Sequence, residues 1–128
     1  MSDRIRLIPN SVNGKDVLLI DLSQFAIPTD GLPYIREARD FVGMQRPLSV
    51  YCLVDVTAAR FNVEVVEALK DLATHNRPFV VATALIGVSG LQRVIFESIV
   101  AFSGRKNLKP FPSRDEAFAW LATQTPAI

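Results

Sequence analysis

Residues 48–90, LSVYCLVDVTAARFNVEVVEALKDLATHNRPFVVATALIGVSG, decide the fold. Leu48 to Val54 is apolar at successive positions, so both faces of this strand are covered, as at the centre of a layered sheet. Asn62 is a good N-cap, and Glu64 in the following turn favours the positive end of a helix. Val65, Val66, Leu69 and Leu72 then recur at helical spacing and form a buried stripe. His75 and Asn76 close the helix, and Pro78 prevents its continuation. Phe79 to Val88 is a second apolar, β-branched run and hence a second central strand. Strand, helix and strand in that order imply a crossover connection and parallel pairing.

The flanking segments repeat this alternation. Towards the N-terminus, Arg4 to Pro9 and Asp16 to Leu22 are short apolar runs separated by Asn10 to Gly14. An Asn-Gly pair between two such runs signals a hairpin. Thr29 or Asp30 is placed to cap a first helix, which tolerates Pro33 in its opening turn and continues through Ile35, Ala38, Phe41 and Val42. Gly43 and Pro47 punctuate its end. Towards the C-terminus, Ser89-Gly90-Leu91-Gln92 matches a capping box and opens a third helix that stops at Gly104. Leu108 to Phe111 reads as a short last strand. Ser113 with Glu116 is another capping box, opening a helix with Ala117, Phe118, Trp120 and Leu121. The order β-β-α-β-α-β-α-β-α predicts one α/β domain over residues 1–128. Its mostly parallel, mixed sheet of four to five strands carries helices packed on it.

With 49% hydrophobic and 21% charged residues, the composition is that of a globular domain. A formal net charge of +1 provides no global field for nucleic acid or acidic lipid. The densest basic cluster, Arg105-Lys106 with Lys109, is too small for a nucleic-acid footprint. Cys52 is the only cysteine, so no intrachain disulfide or Cys-based metal site is expected, and its apolar surroundings predict a buried, inert thiol. The first residues contain no signal-peptide core and no run is long enough to span a bilayer, which makes the cytoplasm the expected location.

Candidates for chemistry are few. The single histidine, His75, falls at a helix C-terminus, where capping is its expected role. Asp21 and Asp55 fall near strand ends, where α/β sheets often present working residues, but no sequence feature places them together. Gly87-Val88-Ser89-Gly90 precedes a helix without the lysine of a P-loop or the third glycine of a dinucleotide fingerprint. Its amides could meet an anion, with Arg93 one turn on, although capping by Ser89 explains the same residues. No cofactor, metal or catalytic residue is expected.

On the third helix, Leu91, Val94, Ile95, Ile99 and Phe102 share one broad face, read as the core stripe. Phe96 and Val100 fall on another side, beside Gln92 and Arg93, where a surface helix should be polar. Either a neighbouring element covers them or they form an interface.

Several segments together resemble the SpoIIAA-like branch of the STAS superfamily, also described as STAS/SEC14-like. They are Val54 to Asn62, His75 to Phe79, Gly87 to Phe96, Phe102 to Arg105 and Asp115 to Leu121. The resemblance implies a four- or five-stranded sheet and a non-enzymatic, bacterial regulatory role. Antagonists of anti-sigma factors in this superfamily carry an Asp-Ser-Ser/Thr-Gly phosphoacceptor motif at the start of the second helix. Phe61-Asn62-Val63-Glu64 stands at that place and offers no hydroxyl, while Thr57 lies several residues earlier.

Two functional expectations follow. The first is a regulatory or protein-interaction module, homodimeric through Phe96 and Val100 of the third helix. The alternative is a carrier of a small apolar or anionic, lipid-like ligand, held between sheet and third helix with an anion contact at Thr57, Ser89, Gly90 and Arg93.

Overall fold

A computed structural model describes residues 2–126, without the side chains of Asn10 and Leu91. Five strands, β1 (Ile5–Val12), β2 (Lys15–Asp21), β3 (Val50–Asp55), β4 (Val80–Ile86) and β5 (Leu108–Phe111), form one sheet in the order β1-β2-β3-β4-β5. The helices are α1 (Leu32–Gly43), α2 (Val63–Asn76), α3 (Leu91–Ser103) and α4 (Arg114–Leu121). β1 pairs antiparallel with β2, and every later pairing is parallel. This is the mixed, mostly parallel α/β sheet that the alternation predicts.

The hairpin turns at Asn13-Gly14, both at positive φ (50° and 78°), which suits the right-handed twist of the strands it joins. Pro9 lies where the β1–β2 register shifts between Ile8 and Val12; on an edge strand its missing N–H costs little. The three crossovers all step the same way across the sheet, and right-handed connections therefore put α1, α2 and α3 on one face. There Ile20, Cys52, Val54 and Leu85 meet Ala38 and Val42 of α1, Leu69 and Leu72 of α2, and Phe96 and Ile99 of α3. The opposite face is covered by α4, through Ala117 and Leu121 against Leu19, Tyr51, Leu53 and Ala84. The Tyr51 hydroxyl donates to the Gln124 carbonyl (2.8 Å), tying the segment after α4 over that face. Fully burying each such Leu or Ile contributes roughly 1.5–3 kcal/mol.

Two helix starts follow the sequence reading. Asn62 accepts from the Val65 amide (2.9 Å) and Ser113 from the Glu116 amide (3.2 Å). Two others do not. Neither Thr29 nor Asp30 caps α1; they lie in a 3-10 turn, Pro28–Gly31, that runs into the helix at Gly31, with Pro33 in its first turn as expected. The capping box at Ser89 is absent too: the N-cap of α3 is Gly90 (φ 54°), with no side-chain cap. Gln92, the residue meant to close that box, instead donates its side-chain amide to the Ala59 carbonyl across the domain. No helix among the described residues is long and apolar enough to cross a membrane.

Candidate functional site

The C-terminal ends of β2 and β3 place Asp21 directly opposite Asp55, a juxtaposition that the sequence reading does not contain. Each carboxylate folds onto its own chain. Asp21 Oδ1 accepts from the Ser23 amide (3.0 Å) and hydroxyl (2.6 Å), and Asp55 Oδ1 accepts from the Thr57 amide (2.9 Å) and hydroxyl (2.7 Å). The paired Asp-x-Ser and Asp-x-Thr turns end the two strands alike. Arg4 adds a contact to Asp21 Oδ1 (3.7 Å), donates to the Asp21 and Ser23 carbonyls and lies over the Phe25 ring. These carboxylates brace the loops that leave the C-terminal ends of β2 and β3.

No hydrogen bond among the described residues joins the side chains of Thr57, Ser89 and Arg93, three of the four residues read as an anion contact. Thr57 is occupied by Asp55 and packs against Gly87, whose φ of +84° and lack of Cβ let the two loops touch. Ser89 and Gly90 are exposed in the turn before α3, and Arg93 lines a groove shared with Leu108 and Pro110 of β5. His75 does not cap carbonyls in the way its position suggests. Its Nδ1 meets Asn76 Oδ1 (2.9 Å), and its ring stacks on Phe79.

α3 carries the largest correction. Phe96 is 6% exposed and packs edge-on against Phe61, inside the core with Ile99. Val94 and Phe102, both read as core, are each 61% exposed. Val100 is half-buried and lines a groove of ≈ 330 Å³ between α3 and β5, with Val88, Arg93, Leu108 and Pro110. The predicted stripe is displaced because apolar residues surround this helix, so periodicity alone does not single out the inward face. The side chain of Leu91, assigned to the same stripe, lies outside the described residues. Gln92 and Ser103 show the true inward direction, through the bond to Ala59 and through burial respectively.

Beneath α2 and α3 is an inner chamber of ≈ 40 Å³, mostly hydrocarbon-walled, which Arg105, Asn76, Thr83 and Cys52 also line. Arg105 is the group that sequence reading missed: it follows Gly104 in a basic pair that looks solvated, yet it is only 4% exposed. Gly104 at φ +67° turns the chain back under the helix. The guanidinium then donates from Nη2 to Thr83 Oγ1 (2.9 Å) and from Nε to Asn107 Oδ1 (3.2 Å). Desolvation lowers its pKa, but an arginine stays charged. Two charge-assisted hydrogen bonds at roughly 1.5–3 kcal/mol each offset most of a desolvation cost of several kcal/mol, so the fold tolerates the buried cation. No carboxylate pairs with it among the described residues. Next to it, burial pushes the Cys52 thiol up to about 12, against the opposing pull of the Arg105 charge and the Thr83 hydrogen bond. That thiol is buried, as its sequence context predicts.

No family model matches the chain, and neither a curated protein nor a solved structure does.

Proposed function

We propose that this chain is a non-catalytic interaction module of the cytoplasm that works by protein contact through α3, with a second copy of itself as the first partner. One observation carries the reading: α3 is apolar around most of its circumference, although it lies at the margin of the helical layer. Ile99 and Phe96 supply its core face. Val94 and Phe102 project outward, and Val100 lines the groove on the far flank. A helix with hydrophobic residues on every side is normally enclosed. Its only charges, Arg93 and Glu97, are one turn apart and of opposite sign, so self-contact meets no like-charge barrier. The resemblance to STAS domains supports a regulatory role for such contact, and the local engagement of Asp21, Asp55 and Thr57 supports a non-catalytic one.

The test is the molar mass of the purified protein across a dilution series, by light scattering coupled to size exclusion. A dimer that dissociates on dilution is expected. Truncating a central interface aromatic costs about 2 kcal/mol or more, so Phe102→Ala should weaken it roughly thirtyfold. A monomer at every concentration would remove the self-association reading.

The ≈ 330 Å³ groove between α3 and β5 favours a second reading, a carrier of a small amphipathic ligand. Its apolar walls and the Arg93 charge suit such a molecule. Thermal stabilisation by acyl or phosphorylated compounds that is lost in Arg93→Ala would support this reading over the first.

A further inference from the structure

The inner chamber and the α3 outer surface lie on opposite sides of the same helix, and the chamber has chemistry of its own. Among the described residues the Arg105 guanidinium bonds through Nη2 and Nε, and Nη1 has no hydrogen-bond partner there. Among the described residues the Asn76 side chain is engaged only through Oδ1, by His75. Yet no fully enclosed side-chain nitrogen or oxygen among the described residues lacks a partner. Arg105 Nη1 and the Asn76 side-chain nitrogen therefore open onto accessible space, although their residues are only 4% and 3% exposed. Both residues line the chamber, and Arg105 also borders a wider cleft with Arg77 and Lys106.

The chamber thus has a buried cation and a side-chain amide in its lining, against walls of Leu69, Leu72, Phe96 and Ile99. A cationic fork in the same lining as an amide matches a carboxylate, whose two oxygens accept from planar N–H donors. Hydrocarbon elsewhere matches a short alkyl tail. The volume limits the tail: ≈ 40 Å³, at roughly 10–15 Å³ for each water-sized occupant, accommodates only a few heavy atoms. We propose that the chamber under α2 and α3 is a binding site for a short-chain monocarboxylate of the size of acetate or propionate, anchored by Arg105 and Asn76. The bound anion supplies the counter-charge that the fold omits around Arg105.

The experiment is an NMR titration of the ¹⁵N-labelled full chain with sodium propionate, at ionic strength held constant with sodium chloride. It follows the Arg105 Nε–Hε signal and the amides of the last turn of α2. Saturable shifts at these positions are expected, with propionamide binding at least about tenfold more weakly because it lacks the charge. Arg105→Met should abolish the response. Ala73→Ile fills the chamber from its α2 wall and keeps the arginine, and should weaken binding by about tenfold or more even if the arginine variant fails to fold. A silent titration, meaning a chamber that holds water only, would overturn the proposal. So would shifts matched by chloride alone, or binding unchanged in Ala73→Ile.

Discussion

α2 and α3 are neighbouring crossover helices on the same face of the sheet, and they differ in almost every respect that matters for function. α2 starts with a side-chain cap at Asn62 and buries Val65, Leu69, Leu72 and Ala73 along one stripe, with Glu64, Glu67 and Asp71 outside it. α3 starts at an uncapped glycine and carries apolar residues inward, outward and towards the β5 groove. α2 has as much hydrophobic surface as one face of a sheet can use. α3 has more, and the excess at Val94 and Phe102 is what the account assigns to a partner.

The largest expected effect separates the two sides of α3. Phe96→Ala should cost about 3–5 kcal/mol in urea unfolding, as a large aromatic removed from a packed core. Phe102→Ala should stay within about 0.5 kcal/mol in the monomer, as an exposed substitution. Equal costs would show that the inner and outer faces of the helix are misassigned.

A second test concerns the buried thiol beside Arg105. The folded-state pKa of Cys52, about 12, lies above its ordinary value of 9.0, so the folded protein holds a proton that the unfolded chain releases. Its contribution is therefore fully present below pH 9 and lost as pH rises towards 12. In that window the wild type should lose up to about 1.4 kcal/mol of stability per pH unit more than Cys52→Ala does. Parallel alkaline limbs for the two proteins in pH-dependent unfolding would contradict this assignment.

The smallest effect compares helix starts. Asn62→Ala should destabilise by about 1 kcal/mol, while Ser89→Ala should fall within about 0.5 kcal/mol, because Ser89 caps nothing. A comparable loss from both would restore the capping box at α3.

These contrasts also explain what was legible in the sequence. β3, α2 and β4 were readable because their patterns are unambiguous: continuous apolar runs for strands covered on both sides, and one clear stripe for the helix between them. The Asn13-Gly14 turn and the Ser113 cap were readable because their residue chemistry is local. The start of α3 was not, since the partner of Gln92 is the Ala59 carbonyl, 33 residues away in the chain. Nor was its inward face, since Val94, Phe96 and Phe102 are equally apolar and only packing against Phe61 and the sheet distinguishes them. The pairing of Asp21 with Asp55 depends on the β2–β3 register. The burial of Arg105 depends on the left-handed turn at Gly104. Both are tertiary facts with no local signature.

The central claim is that the outward row of α3 is a contact surface, and an NMR dilution series of the ¹⁵N-labelled protein tests it most directly. The account predicts concentration-dependent shifts concentrated at Val94, Ser98 and Phe102, with the β1–β2 hairpin and α4 unchanged, and their disappearance in Phe102→Asp. Spectra that do not change on dilution, or changes centred on α4, would contradict it.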